Sequence, residues 1–123
     1  MINNLKIEIL NTDNFSPFGD ILNKKSSLKE VRINQGTTTR HHNISELKLT
    51  DQNGIPGISI FSGSPRKIPI EIKIMEKHPI ASQSFLPIQN HDWLVVVSKE
   101  KNDLPDLDTL RCFKVDGNFG ITY

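Results

Sequence analysis

Cysteine is almost missing from the chain: Cys112 is the only one in 123 residues, so no internal disulfide can form and a reducing compartment is expected. An excess of one charge is missing too. Fifteen basic and 14 acidic side chains leave +1, which builds no field to attract nucleic acid or an anionic membrane, and neither is expected as a partner. Long apolar runs are absent: the longest, WLVVV at 93–97, falls far short of the roughly 20 residues that a membrane-crossing helix needs. The first residues, MINNLKIEIL, show no basic segment followed by a long apolar stretch. A soluble, cytoplasmic protein is the expectation. No G-x-G-x-x-G, Walker or G-x-S-x-G spacing occurs, and no Cys/His grouping has zinc-finger spacing. Gly63-Ser64-Pro65-Arg66-Lys67 resembles a phosphate loop only in composition and reads as a hairpin turn. The single Trp93 and single Cys112 read as packing residues.

What is present is period two. IPIEIKIME alternates from Ile68 to Glu76, GISIF at 57–61 is a shorter strand, and LRCFKV at 110–115 is another. WLVVV is apolar on both faces, as in a strand covered on two sides by a second sheet or another subunit. Turn-forming groups separate these runs: SGSPRK at 62–67, HPIA at 78–81, QNHD at 89–92, KNDLPDLD at 101–108 and DGNFG at 116–120. Such spacing predicts an antiparallel sandwich or barrel. Helix is limited to a turn within 12–20, capped by Thr12 or Asp13, and another at 106–110. The length suits one domain, 1–123.

Two stretches carry candidate chemistry. On the even positions Ile68, Ile70, Ile72, Ile74, Glu76 and His78 share a face, while Glu71, Lys73 and Lys77 take the other. A carboxylate and an imidazole where a strand leaves the apolar interior form a pair suited to proton transfer near neutral pH. The competing reading is a strand that ends in water, with Pro79 forcing the turn. In INQGTTTRHHNI at 33–44, an extended backbone puts Thr38, Arg40 and His42 on one face and His41 on the opposite one. Adjacent histidines on a strand cannot converge on one metal. Arg40 presents a planar fork for a carboxylate, and His42 beside it can move a proton. A solvated strand with scattered charge is the alternative.

Several segments together resemble the ureidoglycolate lyase family: FSPFGDIL at 15–22, INQGTTTRHHNI at 33–44, ISIFSGSPRKIPI at 58–70, MEKHPIASQSFLPI at 75–88, WLVVVSKE at 93–100, PDLDTLRCF at 105–113 and GNFGITY at 117–123. Most specific are N-x-G-x-x-x-R-x-H, here Asn34, Gly36, Arg40 and His42, and E-[RK]-H-P-x-x-[ST]-Q-x-F-x-P, here Glu76, His78, Pro79, Gln83, Phe85 and Pro87. The resemblance implies a homodimeric, cupin-like antiparallel β-barrel (a double-stranded β-helix) that splits (S)-ureidoglycolate into urea and glyoxylate in allantoin breakdown. Family members continue past the G-x-x-Y element with a strand bearing a His-Arg pair and a W-H-H-P-like segment. The sequence stops at Tyr123, with Thr122 where asparagine is usual. The expectation is therefore one cupin-like domain lacking the last family strands.

Ureidoglycolate is a hemiaminal whose collapse needs a base for the hydroxyl proton and an acid for the departing nitrogen. On the resemblance, His78 leads proton transfer with Glu76 orienting it or sharing the proton, and Arg40 anchors the carboxylate. His42, Asn34 and Gln83 would bind the urea or hydroxyl groups, and Tyr123 would line the cavity. Cupin enzymes often hold a divalent ion through H-x-H, which is absent here; His42, Glu76, His78 and His91 could supply ligands only if the barrel gathers them. Nickel is linked to the family, but a required, tightly bound metal is not expected. The alternatives are a non-catalytic barrel binding a small carboxylate metabolite and a metal-dependent cupin oxygenase or isomerase.

Overall fold

The computed structural model describes residues 4–50 and 52–123. Strand β1 (Ile7–Ile9) leads into one turn of helix, α1 (Thr12–Phe15), followed by β2 (Asp20–Leu22). After a 3₁₀ turn at Lys24–Ser26, β3 (Lys29–Ile33) and β4 (Thr38–His42) form a hairpin. A long irregular stretch separates them from β5 (Ser84–Phe85) and β6 (Trp93–Val97). The short hairpin β7 (Glu100–Lys101) and β8 (Leu104–Pro105) comes next, then a 3₁₀ turn at Leu107–Thr109, β9 (Arg111–Val115) and β10 (Gly120–Thr122).

Strands thus dominate and helix is reduced to single turns, as the all-β reading expects. One sheet has the order β1-β9-β6, with β1 parallel to β9 and β6 antiparallel to it. A second, β2-β10-β5, is antiparallel throughout. The parallel β1–β9 pair departs from a purely antiparallel sheet, and among the described residues no sheet closes into a barrel.

The core lies between the two three-stranded sheets and α1. Phe15, Phe113, Val115 and Ile121 are fully buried there, joined by Leu10, Ile21 and Val97. Alternation on β9 explains the arrangement: Phe113 and Val115 share the core face while Lys114 between them is exposed. Cys112 is also buried, in keeping with a packing role. The helix cap is Asn11, not Thr12 or Asp13. Asn11 Oδ1 accepts from the Asn14 amide at 2.9 Å and Asn14 Oδ1 accepts from the Asn11 amide at 2.8 Å, so two orphan N–H groups are satisfied at once. Gly19 lets the chain after α1 touch the end of β10: a Cβ there would lie 1.8 Å from the Thr122 carbonyl oxygen.

Two strand expectations fail and a third holds only in part. Residues 57–61 and 68–76 form no strand, and SGSPRK between them joins no hairpin. Alternation specifies which side chains share a face, but a strand also needs an edge to pair with, and Pro65 and Pro69 bring no N–H. Among the described residues no backbone hydrogen bond forms from 55 to 79. The isoleucines expected in a core are therefore exposed, Ile74 at 85 %. WLVVV does pair, but Leu94 is exposed, so β6 is not covered on both faces.

Candidate active site

Strand β10 organises the larger group of candidate residues. Ile121 pairs with Ile21 on one side and Phe85 on the other, and the Ser84 and Thr122 hydroxyls hydrogen-bond at 2.7 Å. One residue further on, Gln83 and Tyr123 exchange both backbone hydrogen bonds, at 3.0 and 3.1 Å. Tyr123 then stacks on Phe85, ring centroids 5.7 Å apart, and its hydroxyl donates to Gln83 Oε1 over a long 3.5 Å. Burial, reinforced by the negative charge of Glu76, pushes the Tyr123 hydroxyl above its ordinary pKa. It is a neutral donor at physiological pH.

The acid and imidazole meet this group from the other side. His78 lies 6.3 Å from Tyr123 between ring centroids, and its Nε2 is 3.6 Å from Glu76 Oε2. Both belong to irregular backbone just before the turn at Pro79 and Ile80. Lys77 between them points to the β7–β8 hairpin, with Nζ 2.7 Å from Asp103 and 3.5 Å from Glu100. Downstream, the Thr50 amide donates to Ile80 O and the Ser82 amide to Lys48 O. Two anchors therefore bracket Glu76 and His78, and sequence reasoning identified neither; the only hint was the opposite parity of Lys77.

Glu76, His78, Gln83 and Tyr123 are thus brought together. Arg40 and His42 form a second group on β4, where Arg40 Nη2 donates to His42 Nδ1 at 2.6 Å. Their shared face is the one expected from alternation, and His41 faces the other way, 3.4 Å from Glu30. Asn34, in the β3–β4 turn with φ 52°, reaches Thr38 Oγ1 at 3.4 Å. Among the described residues no hydrogen bond, ion pair or ring contact joins Arg40, His42 or Asn34 to the Tyr123 group.

A cleft of about 320 Å³ borders Tyr123, lined also by Pro17, Phe18, Val97, Ser98, Lys99 and Glu100. A larger one, about 410 Å³, runs along Ile72 to Met75 against Pro105, Leu107 and Leu110. Lys73 is the only charged residue lining the larger cleft, so it offers no acid and base pair.

The residues offered for a divalent ion do not fit as a set. His42 Nδ1 is engaged by Arg40, Glu76 and His78 face each other, and His91 is exposed before β6. Among the described residues no three His, Cys, Asp or Glu side chains gather where an ion could be held.

Comparison with known proteins is consistent across the chain. Residues 2–123 match the family model described as Ureidoglycolate lyase. A protein of Burkholderia mallei (strain NCTC 10229) named ureidoglycolate lyase is 37 % identical over 119 residues, covering 97 % of this chain and 68 % of the relative. Ureidoglycolate lyase 1 of Rhizobium meliloti is 36 % identical with the same coverage, and the ureidoglycolate lyase of Brucella anthropi is 36 % identical over 123 residues, 99 % of this chain and 70 % of that protein. The chain belongs to the ureidoglycolate lyase family.

Proposed function

We propose that the chain is a ureidoglycolate lyase in which His78 moves the protons and Glu76 supports it. The observation that carries the site assignment is the 3.6 Å approach of the carboxylate to the imidazole, with Tyr123 and Gln83 alongside. Family membership favours this activity over a non-catalytic binder or a metal-dependent enzyme of another specificity.

The reaction needs one proton removed and one delivered. His78 takes the hydroxyl proton of the hemiaminal carbon, the O–H electrons become the C=O of glyoxylate, and the C–N bond breaks toward nitrogen. That nitrogen receives a proton and leaves as urea. A single imidazole can serve both steps, because the proton it accepts is the one it returns. Glu76 stabilises the imidazolium formed between them. The Tyr123 hydroxyl, kept neutral by burial and Glu76, and the Gln83 amide supply hydrogen bonds to the substrate. Arg40 retains donors beyond the one given to His42 and is assigned the carboxylate; His42 and Asn34 are assigned to the urea end. This assignment requires β4 to meet the Tyr123 group around the substrate.

The architecture proposed with this activity is the cupin-like barrel, acting as a homodimer in the cytoplasm. No step is routed through a metal. The test is incubation of the purified chain with (S)-ureidoglycolate and capture of glyoxylate as its phenylhydrazone. Stoichiometric glyoxylate and urea are expected; absence of both from folded protein overturns the activity.

A further inference from the structure

The contact between Arg40 and His42 allows only one state of the imidazole. Arg40 Nη2 stands 2.6 Å from His42 Nδ1, and a guanidinium has only N–H donors to offer. The lone pair in that bond therefore comes from Nδ1, which carries no proton, and the proton of the neutral ring sits on Nε2. A ring held this way is a poor proton carrier: the one nitrogen able to accept is already taken, and the other already holds its hydrogen. The expectation that His42 moves a proton gives way to a fixed N–H donor, which leaves His78 as the base.

The hairpin surrounds that donor with positive charge. Its register places Lys29 of β3 opposite His42 and Val31 opposite Arg40, and directly opposed side chains have Cβ atoms about 4.5–5.5 Å apart. Lys29, Arg40 and His42 are all exposed. Val31, Ile33 and Thr38 complete this face of the hairpin, so no carboxylate shares it; Glu30 lies on the other face, against His41. Among the described residues neither Lys29 nor Arg40 has an ion-pair partner. A neutral N–H donor between two unpaired cations suits an uncharged acceptor such as a urea carbonyl oxygen and repels a positively charged isostere.

We infer that Arg40 locks His42 as the Nε2–H tautomer, and that this N–H, flanked by Arg40 and Lys29, selects a ureido oxygen over an amidinium group in the same position. Arg40 is thereby a positioning residue as well as the carboxylate anchor. The tautomer follows from the contact alone; the selectivity rests on the assignment of His42 to the urea end of ureidoglycolate.

Nitrogen-15 spectra of labelled histidine in the folded, substrate-free chain test the tautomer. The chain has four histidines, and the signals lost in His42→Gln are those of His42. They should show a protonated Nε2 and a bare, hydrogen-bonded Nδ1 near neutral pH, and Arg40→Ala should move the Nδ1 signal. A proton on Nδ1 in the wild type, or an Nδ1 signal indifferent to Arg40→Ala, overturns the inference. Kinetics test the selectivity. His42→Gln, whose amide N–H reaches the position of Nε2, should keep KM within about threefold, while His42→Asn, which reaches only the position of Nδ1, should raise it about tenfold or more. The wild type should favour ureidoglycolate over the analogue bearing a guanidinium in place of the ureido group by at least about a hundredfold in kcat/KM, and Lys29→Glu should narrow that gap about tenfold. Equal use of the two compounds, or equal KM for the Gln and Asn variants, overturns the selectivity. A folded chain that turns over neither compound withdraws the lyase reading and the selectivity that rests on it, while the spectrum, which needs no substrate, still decides the tautomer.

Discussion

Replacing His78 by alanine separates catalysis from folding more cleanly than any other change at this site. The His78 side chain is 34 % exposed, on irregular backbone, and its named neighbours are Glu76 at 3.6 Å and the Tyr123 ring at 6.3 Å. Nothing in that environment resembles a core, so the substitution should alter stability by no more than about 0.5 kcal/mol, a melting shift of about 2 °C for a chain of this size. Loss of the proton-transfer group should lower kcat about 10²- to 10⁴-fold, equivalent to about 2.7–5.5 kcal/mol of transition-state stabilisation. The kinetic effect therefore exceeds the structural one several-fold. Glu76→Gln should lower kcat less, because the imidazole remains. The double variant should be no worse than His78→Ala alone if the two act as a unit. Glyoxylate release over a range of substrate concentrations gives kcat and KM, and calorimetry on the same samples gives the melting temperature. A kcat within twofold of wild type at unchanged melting temperature removes His78 from the mechanism, and losses that multiply show that Glu76 acts independently of it.

Three further outcomes follow from other parts of the molecule. Arg40→Ala should raise KM tenfold or more with a smaller change in kcat, since its assigned role is to hold the carboxylate; an unchanged KM withdraws that role. Gly19→Ala should destabilise the fold and reduce activity together, because the new Cβ meets the Thr122 carbonyl at 1.8 Å, one residue before Tyr123; urea midpoints and turnover measured on one preparation check both. Glu8 is held below the ordinary carboxylate pKa, chiefly by its paired hydrogen bonds from Arg111 at 2.6 and 2.9 Å, so the ion pair stabilises the fold above the ordinary value and is lost as pH falls through the depressed one. Glu8→Gln should lower the urea midpoint near neutrality, and the gap to wild type should close in acid; an equal gap at both pH values assigns the effect to packing.

How much of this was legible beforehand depended on whether a segment's partner was implied by the segment itself. The shared face of Arg40 and His42 followed from alternation once 33–44 is taken as extended, whereas β3 and the turn at Asn34-Gln35-Gly36 that folds β4 back onto it carried no pattern that singled them out. The β6 and β9 runs were readable because each has a dense apolar pattern. For IPIEIKIME the same pattern was present and the strand was not, since alternation is a property of one chain segment and pairing is a property of two. The parallel contact of β1 with β9 joins the two ends of the chain and leaves no local trace in either.

The same distinction explains why the candidate site is built unequally. Gln83 and Tyr123 are fixed by a two-bond backbone pair that continues β10 against β5, with Phe85 stacked beneath the ring. Displacing either would cost sheet hydrogen bonds and buried aromatic contact together. Glu76 and His78 have no such ladder. Downstream they are held by the Thr50–Ile80 and Ser82–Lys48 backbone bonds, but between them the only tie is Lys77, which spans to Asp103 and Glu100 in solvent, where an ion pair contributes little and weakens with salt. Geometry at the tyrosine side should therefore survive conditions that loosen the acid and imidazole side. High salt should lower turnover through the Glu76–His78 approach while leaving the Tyr123 environment, read by its absorbance, unchanged.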